Sequence, residues 1–227
     1  PTPFYLLFGA EVFNGGNGQS FNVADADGMP QHDAPRLYTA FVKAGPDLGP
    51  NHALQFGLSA LSGRQQRWNE EESAGADGDS RIFGTDFVYK YDAKRSHGEG
   101  DFIVQGEYFY RDQDLDGMGD WSGSPWTAKQ DGYYVQSLYG FLPRWRTGLR
   151  WDQIGLINDL DTPDEGSVSY GDSYRLAAVL EWKLSEFSLL RAQAGRGWYA
   201  TADGREDALE CALQWEVTFG KHAAHDF

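Results

Sequence analysis

The chain has 227 residues, a net charge of −15, 15% aromatic residues, 28 glycines and a single cysteine. One cysteine excludes an internal disulfide framework and every multi-cysteine metal site, the negative charge argues against nucleic acid as a partner, and no run of about 18 apolar residues exists to form a membrane-spanning helix. The mean hydropathy of −0.56 does not separate a soluble protein from a membrane barrel, because a barrel strand confines its apolar residues to alternate positions.

Alternation of side-chain character predicts ten strands, at 4–13, 36–44, 53–62, 81–91, 102–111, 132–142, 145–152, 174–183, 187–197 and from Leu209 to Phe219. Each is close to the 9–11 residues that a tilted strand needs to cross a bilayer. In FIVQGEYFYR (102–111), Phe102, Val104, Tyr108 and Tyr110 oppose Gln105, Glu107 and Arg111. In WRTGLRWD (145–152), Trp145, Leu149 and Trp151 oppose Arg146, Arg150 and Asp152. The last strand sets Leu209, Cys211, Leu213, Trp215 and Val217 against Glu210, Gln214 and Glu216. Aromatic residues gather near strand ends, as in Tyr89 and Tyr91, Tyr133 and Tyr134, Trp145 and Trp151, Trp182 and Trp198. A soluble barrel would turn its apolar face inward and has no need of such clusters, whereas aromatic girdles mark the two interfaces of a membrane barrel. The expected fold is therefore all-β: a transmembrane up-and-down antiparallel β-barrel forming a single domain over 1–227.

The connections alternate between long (14–33, 63–81, 112–131, 156–172, 199–205) and short (near 45–51, 92–100, 143–144, 184–185). Bacterial outer-membrane barrels have short periplasmic turns and long external loops, so the chain is expected in that membrane with the long connections facing the environment. Those long connections hold nineteen acidic residues against five basic ones, and so carry nearly all of the net charge. An acidic rim would concentrate cations over a Debye length of about 8–10 Å and could be bridged by them to lipopolysaccharide and other anionic outer-membrane lipid. The alternative is that these loops are acidic only to stay solvated. Residues 1–20 lack a basic n-region and a cleavage motif, which reads as a mature or truncated chain.

Charges on the polar faces of the strands name the expected pore lining: Glu11, Lys43, Asp86, Lys90, Glu107, Arg111, Arg146, Arg150, Asp152, Arg175, Glu181, Arg191, Glu210 and Glu216. Arg146 and Arg150 would favour anions at a constriction while an acidic mouth favours cations, and the sequence leaves the winner open. The loop DQDLDGMGD places Asp112, Asp114, Asp116 and Asp120 around Gly117, like the first half of an EF-hand calcium loop, but Gly123 stands where the bidentate Glu belongs. Calcium held by these four residues and an unliganded acidic loop are the two readings. His52, His97, His222 and His225 fall at the short-turn end, with His222 and His225 in an HxxH spacing too sparse for a closed metal site. No GxSxG elbow, HExxH or phosphate loop occurs, so neither an enzyme nor a cofactor other than that calcium is expected.

The segments PTPF (1–4) with LLFGAEVF, GTDFVYKY (84–91), VQGEYFYR (104–111), GYYVQSLYGFLPRWRTGLRWD (132–152), SEFSLLRAQ (185–193) and FGKHAAHDF (219–227) resemble a family of proteobacterial outer-membrane barrels described as porin-like or zinc-regulated outer-membrane proteins. The resemblance runs over the whole chain and implies that these ten strands are the C-terminal part of a larger barrel, of about 16 strands, with further strands preceding Pro1. It also implies that Phe227 is the terminal aromatic read by the barrel assembly machinery. The expected function is a passive porin for small solutes or ions, as a single chain or a homo-oligomer. The alternatives are a non-conducting surface barrel that binds cations or a partner through its acidic loops, and a rim hydrolase.

Overall fold

The computed structural model describes residues 4–17, 20–23, 28–71, 73–163, 166–201 and 204–219. They form one antiparallel sheet of eleven strands. In chain order these are β1 (Tyr5–Phe13), β2 (Leu37–Gly45), β3 (His52–Asn69), β4 (Ala74–Tyr91), β5 (Phe102–Gly119), β6 (Pro125–Leu142), β7 (Trp145–Thr162), β8 (Gly166–Ser169), β9 (Ser173–Ser185), β10 (Ser188–Thr201) and β11 (Gly204–Val217). Ten of them follow one another as neighbours, and the short β8 adds only to β7. The one helical element among the described residues is a three-residue 3-10 turn, Ser96–Gly98.

One expectation is corrected. The connections 63–81, 112–131 and 156–172 are mostly strand: β3 to β7 each run 18 residues, so these strands run well beyond the 9–11 residues expected of each. Their outer ends hide from sequence inspection because the apolar residues there, Ala76, Leu115, Trp126 and Ala128, are few and fall on the inward face among glutamines and glycines, yet the ladder continues through pairs such as Ser62 with Arg81 and Arg64 with Asp79. The expected all-β antiparallel architecture is present, and the ten-strand path does not close on itself among the described residues. It ends on the unpaired edges of β1 and β11, and every residue of β11 is exposed.

The two faces of the sheet are opposite in character. Residues directly opposite in an antiparallel ladder project to the same side, so one face follows from the register. Phe8 opposes Val42, Val42 opposes Leu58, Leu149 opposes Ala178 and Trp182 opposes Leu190, which opposes Trp215. This face is apolar and open: Phe8, Leu213 and Trp215 are each more than 70% exposed. The other face buries polar groups, with Gln65, Gln113 and Ser80 at 0% and Glu181 at 1% exposure, together with a small apolar cluster of Ala76, Leu115, Trp126 and Ala128 near the outer ends of β4 to β6.

Candidate functional site

The register carries every charged residue expected to line a pore to the polar face. One row across the sheet reads Lys43, Gly57, Asp86, Glu107, Tyr134, Asp152, Arg175. A second reads Arg146, Glu181, Arg191, Gln214, and a third joins Glu11, through Thr39, Leu61 and Ile82, to Arg111 and Gln130. Lys90, Arg150, Glu210 and Glu216 share the same parity. This face is concave. A cavity of about 1230 Å³ at the short-turn end is lined both by His52 and Lys90 near one side and by Arg191 and Glu216 near the other.

Charges on β7, β9, β10 and β11 neutralise one another. Arg146 donates from Nε and Nη2 to Oε2 of Glu181 at 2.9 Å, and Arg191 donates to Oε1 at 2.7 and 2.6 Å. Two forks therefore hold one carboxylate that is almost fully buried. Asp152 accepts from Arg150 and Arg175, and Arg175 reaches on to Glu210 at 3.0 Å. Arg150 also lies over the Tyr134 ring, 3.9 Å from its centre, and donates to Gln136. Arg146 and Arg150 are thus held by carboxylates, which cancels much of the anion-attracting field expected of them. Nearer the other edge, Lys43 meets Asp86 at 3.5 Å. Gly57 makes room for that pair, since a Cβ there would lie 2.0 Å from Oδ2 of Asp86.

The calcium loop takes a different form from the one expected. Residues up to Gly119 belong to β5 and only Asp120 lies in the turn. At a two-residue period Asp112, Asp114 and Asp116 point to the convex side, beside Asp77 and Asp79 of β4, which oppose Asp116 and Asp114. Arg64 engages both Asp77 and Asp79, and His32 meets Asp77 at 2.7 Å. Among the described residues no group of three or more His, Cys, Asp or Glu is placed to hold a metal ion. His52 instead bonds the Tyr89 hydroxyl at 2.8 Å. His222, His225 and Phe227 lie outside the described residues.

On the convex face aromatic rings stack at two levels. Trp145 and Trp182 are 5.2 Å apart and nearly parallel at the short-turn end, while Tyr174 sits between Trp151 at 5.3 Å and Trp198 at 5.0 Å at the other. On β9 the two levels are the eight residues from Tyr174 to Trp182, about 26 Å along the strand. The positions between them on this side are Leu176, Ala178 and Leu180.

Sequence reasoning missed Arg67, whose guanidinium lies 4.0 Å from the centre of the Trp126 ring. It belongs to the segment read as a loop. Continuing the odd-numbered face of β3 through Gly63 and Gln65 would have found it.

No protein-family model matches the chain. The chain is similar to an uncharacterized protein of Aquifex aeolicus (strain VF5), with 36% identity over 245 aligned residues that take in the whole of this chain and 49% of the relative. The chain thus spans about half the length of the curated relative it matches.

Proposed function

We propose that this chain is part of an outer-membrane β-barrel that works as a passive porin for small solutes or ions, with the concave face as its lumen. The observation that carries the reading is the convex face. An exposed apolar band bounded by two aromatic levels about 26 Å apart along the strands, which a tilt of about 35–45° turns into a height of about 20 Å, approaches the outward band of about 25 Å, flanked by aromatic girdles, of an outer-membrane barrel. Sheet edges are not tolerated in hydrocarbon, so the free edges of β1 and β11 call for further strands. Those would come from the same longer protein, as in the proteobacterial porin-like barrels that the sequence resembles. About 16 strands leave an aqueous channel where ten would nearly fill with side chains. Neighbours in this setting are outer-membrane lipid and lipopolysaccharide, with the assembly machinery reading Phe227.

Planar-bilayer recording on the full-length protein tests the proposal. Discrete single-channel steps are expected, and their absence from correctly folded protein would refute it. A second reading, a non-conducting barrel that binds cations at the surface, is favoured by the directly opposed carboxylates Asp79 and Asp114, and Asp77 and Asp116, since like charges so placed repel.

A further inference from the structure

The connection between β1 and β2 does not stay at the rim. Asn22 donates its backbone N–H to Oε1 of Gln65 at 2.8 Å, and Gln65 belongs to the concave face of β3. Phe21 is 4% exposed and its ring occupies the concave side of Gly63, where a Cβ would come within 3.0 Å of it. Ser20 accepts a hydrogen bond at 3.1 Å from Nη1 of Arg111, across on β5. Residues 20–22 therefore lie over the inner surface, held to β3 through Asn22, whose carbonyl accepts from the Gln66 backbone N–H at 3.0 Å, and reached from β5 by the side chain of Arg111. They lie at the level where Arg111 also reaches Gln130, and Gln130 reaches Asn158 at 2.8 Å.

The charges at this level are segregated by face. On β3 to β6, the ionisable groups that the described residues turn inward here are Arg67 and Arg111. Arg67 is stacked on Trp126, and its buried Nε meets no hydrogen-bond acceptor among the described residues. The carboxylates of Asp77, Asp79, Asp112, Asp114 and Asp116 point the opposite way, to the convex side. The aspartates of these two hairpins are thus turned away from the passage, and the inner surface that β3 to β6 present beside residues 20–22 is cationic, while Glu11 of β1 is the inward carboxylate in the row of Arg111.

We propose that residues 20–22 are the constriction element of the channel, and that Arg67 and Arg111 beside them make its narrowest passage selective for small inorganic anions. This rests on the porin reading and deepens it. Residues 20–22 stand over the inner surface towards the long-hairpin end, whereas the short-turn end holds the 1230 Å³ cavity. Fixed charge at the narrowest point sets ion preference, because there the ion is closest to the wall and least screened.

The test uses the full-length protein in planar bilayers under a potassium chloride gradient. Phe21→Ala removes the ring that fills the space over Gly63 and raises single-channel conductance at least about 1.5-fold, while Arg67→Gln lowers the chloride-over-potassium permeability ratio about threefold and Arg67→Glu inverts it. Because Phe21 is buried, Ser20→Cys in a Cys211→Ser background provides a milder probe. Attachment of a bulky, water-soluble thiol reagent at position 20 cuts the current of open channels. A wild-type channel that prefers potassium, or one whose conductance and reversal potential ignore all three sites, would overturn the inference and leave the porin intact. Absence of any channel would overturn the porin reading and this inference together.

Discussion

Replacing Glu181 by Gln perturbs the centre of the charge network with almost no change in volume. The carboxylate is 2% exposed and serves two guanidiniums, Arg146 at 22% and Arg191 at 34% side-chain exposure. An amide keeps one acceptor and offers a donor to the other arginine, so one fork loses its partner outright. Breaking a buried ion pair from one side costs about 3–5 kcal/mol. Both arginines are partly wet and recover some hydration, which brings the expected loss to about 2 kcal/mol. Urea titration of protein folded into vesicles reads this as a lowered unfolding midpoint with an unchanged slope. Glu216→Gln, on the exposed edge strand β11, serves as the control and should shift stability by less than about 0.5 kcal/mol. Pairing Glu181→Gln with Arg191→Gln should recover at least about 1 kcal/mol, since the double change removes the uncompensated charge. If Glu181→Gln is no more disruptive than Glu216→Gln, the network does not stabilise the fold and the reasoning fails.

Three further outcomes are expected. Leu149, which opposes Ala178 midway between the two aromatic levels, should not tolerate charge: Leu149→Arg should cost about 2–4 kcal/mol, the depth-dependent penalty on a lipid-facing strand. Gln193→Arg, on the concave side of β10, should cost far less in the same vesicle titration; equal costs would place lipid on neither face or on both. Calcium should leave the thermal midpoint unchanged with or without chelator, because Asp112, Asp114 and Asp116 are spaced along a strand instead of wrapped around one ion; a calcium-dependent rise would refute that. Gly57→Leu should release Lys43 from Asp86, since a larger residue cannot share the space taken by the carboxylate, and should alter channel selectivity more than stability; loss of folding without any such change would contradict it.

Much of this arrangement is visible in the amino-acid sequence where one face is apolar. The segments 102–111 and 145–152 alternate cleanly, and their register brings Glu107, Arg146, Arg150 and Asp152 to a common side as the two-residue period requires. The outer halves of β3 to β6 are not visible in this way. There the outward face carries charge and the inward face only a small apolar cluster of Ala76, Leu115, Trp126 and Ala128 among polar residues, so the strand continues without a clean alternation and Asp112 to Asp116 read as a cation loop. Pairing between distant charges is also silent in a single sequence. Nothing local shows that Glu181 holds Arg146 and Arg191, or that Ser20 reaches Arg111 across ninety-one positions.

The central claim is that the apolar face meets lipid and the charged face meets water. Single cysteines placed one at a time at Leu176, Ala178, Val179 and Leu180 of β9 and at Gln193 of β10, which pairs with Val179, in a Cys211→Ser background, test it most directly when the folded protein in vesicles is exposed to a membrane-impermeant thiol reagent. The account predicts reaction at 179 and 193 and protection at 176, 178 and 180. Reactivity without this alternation, or with the opposite phase, would contradict it.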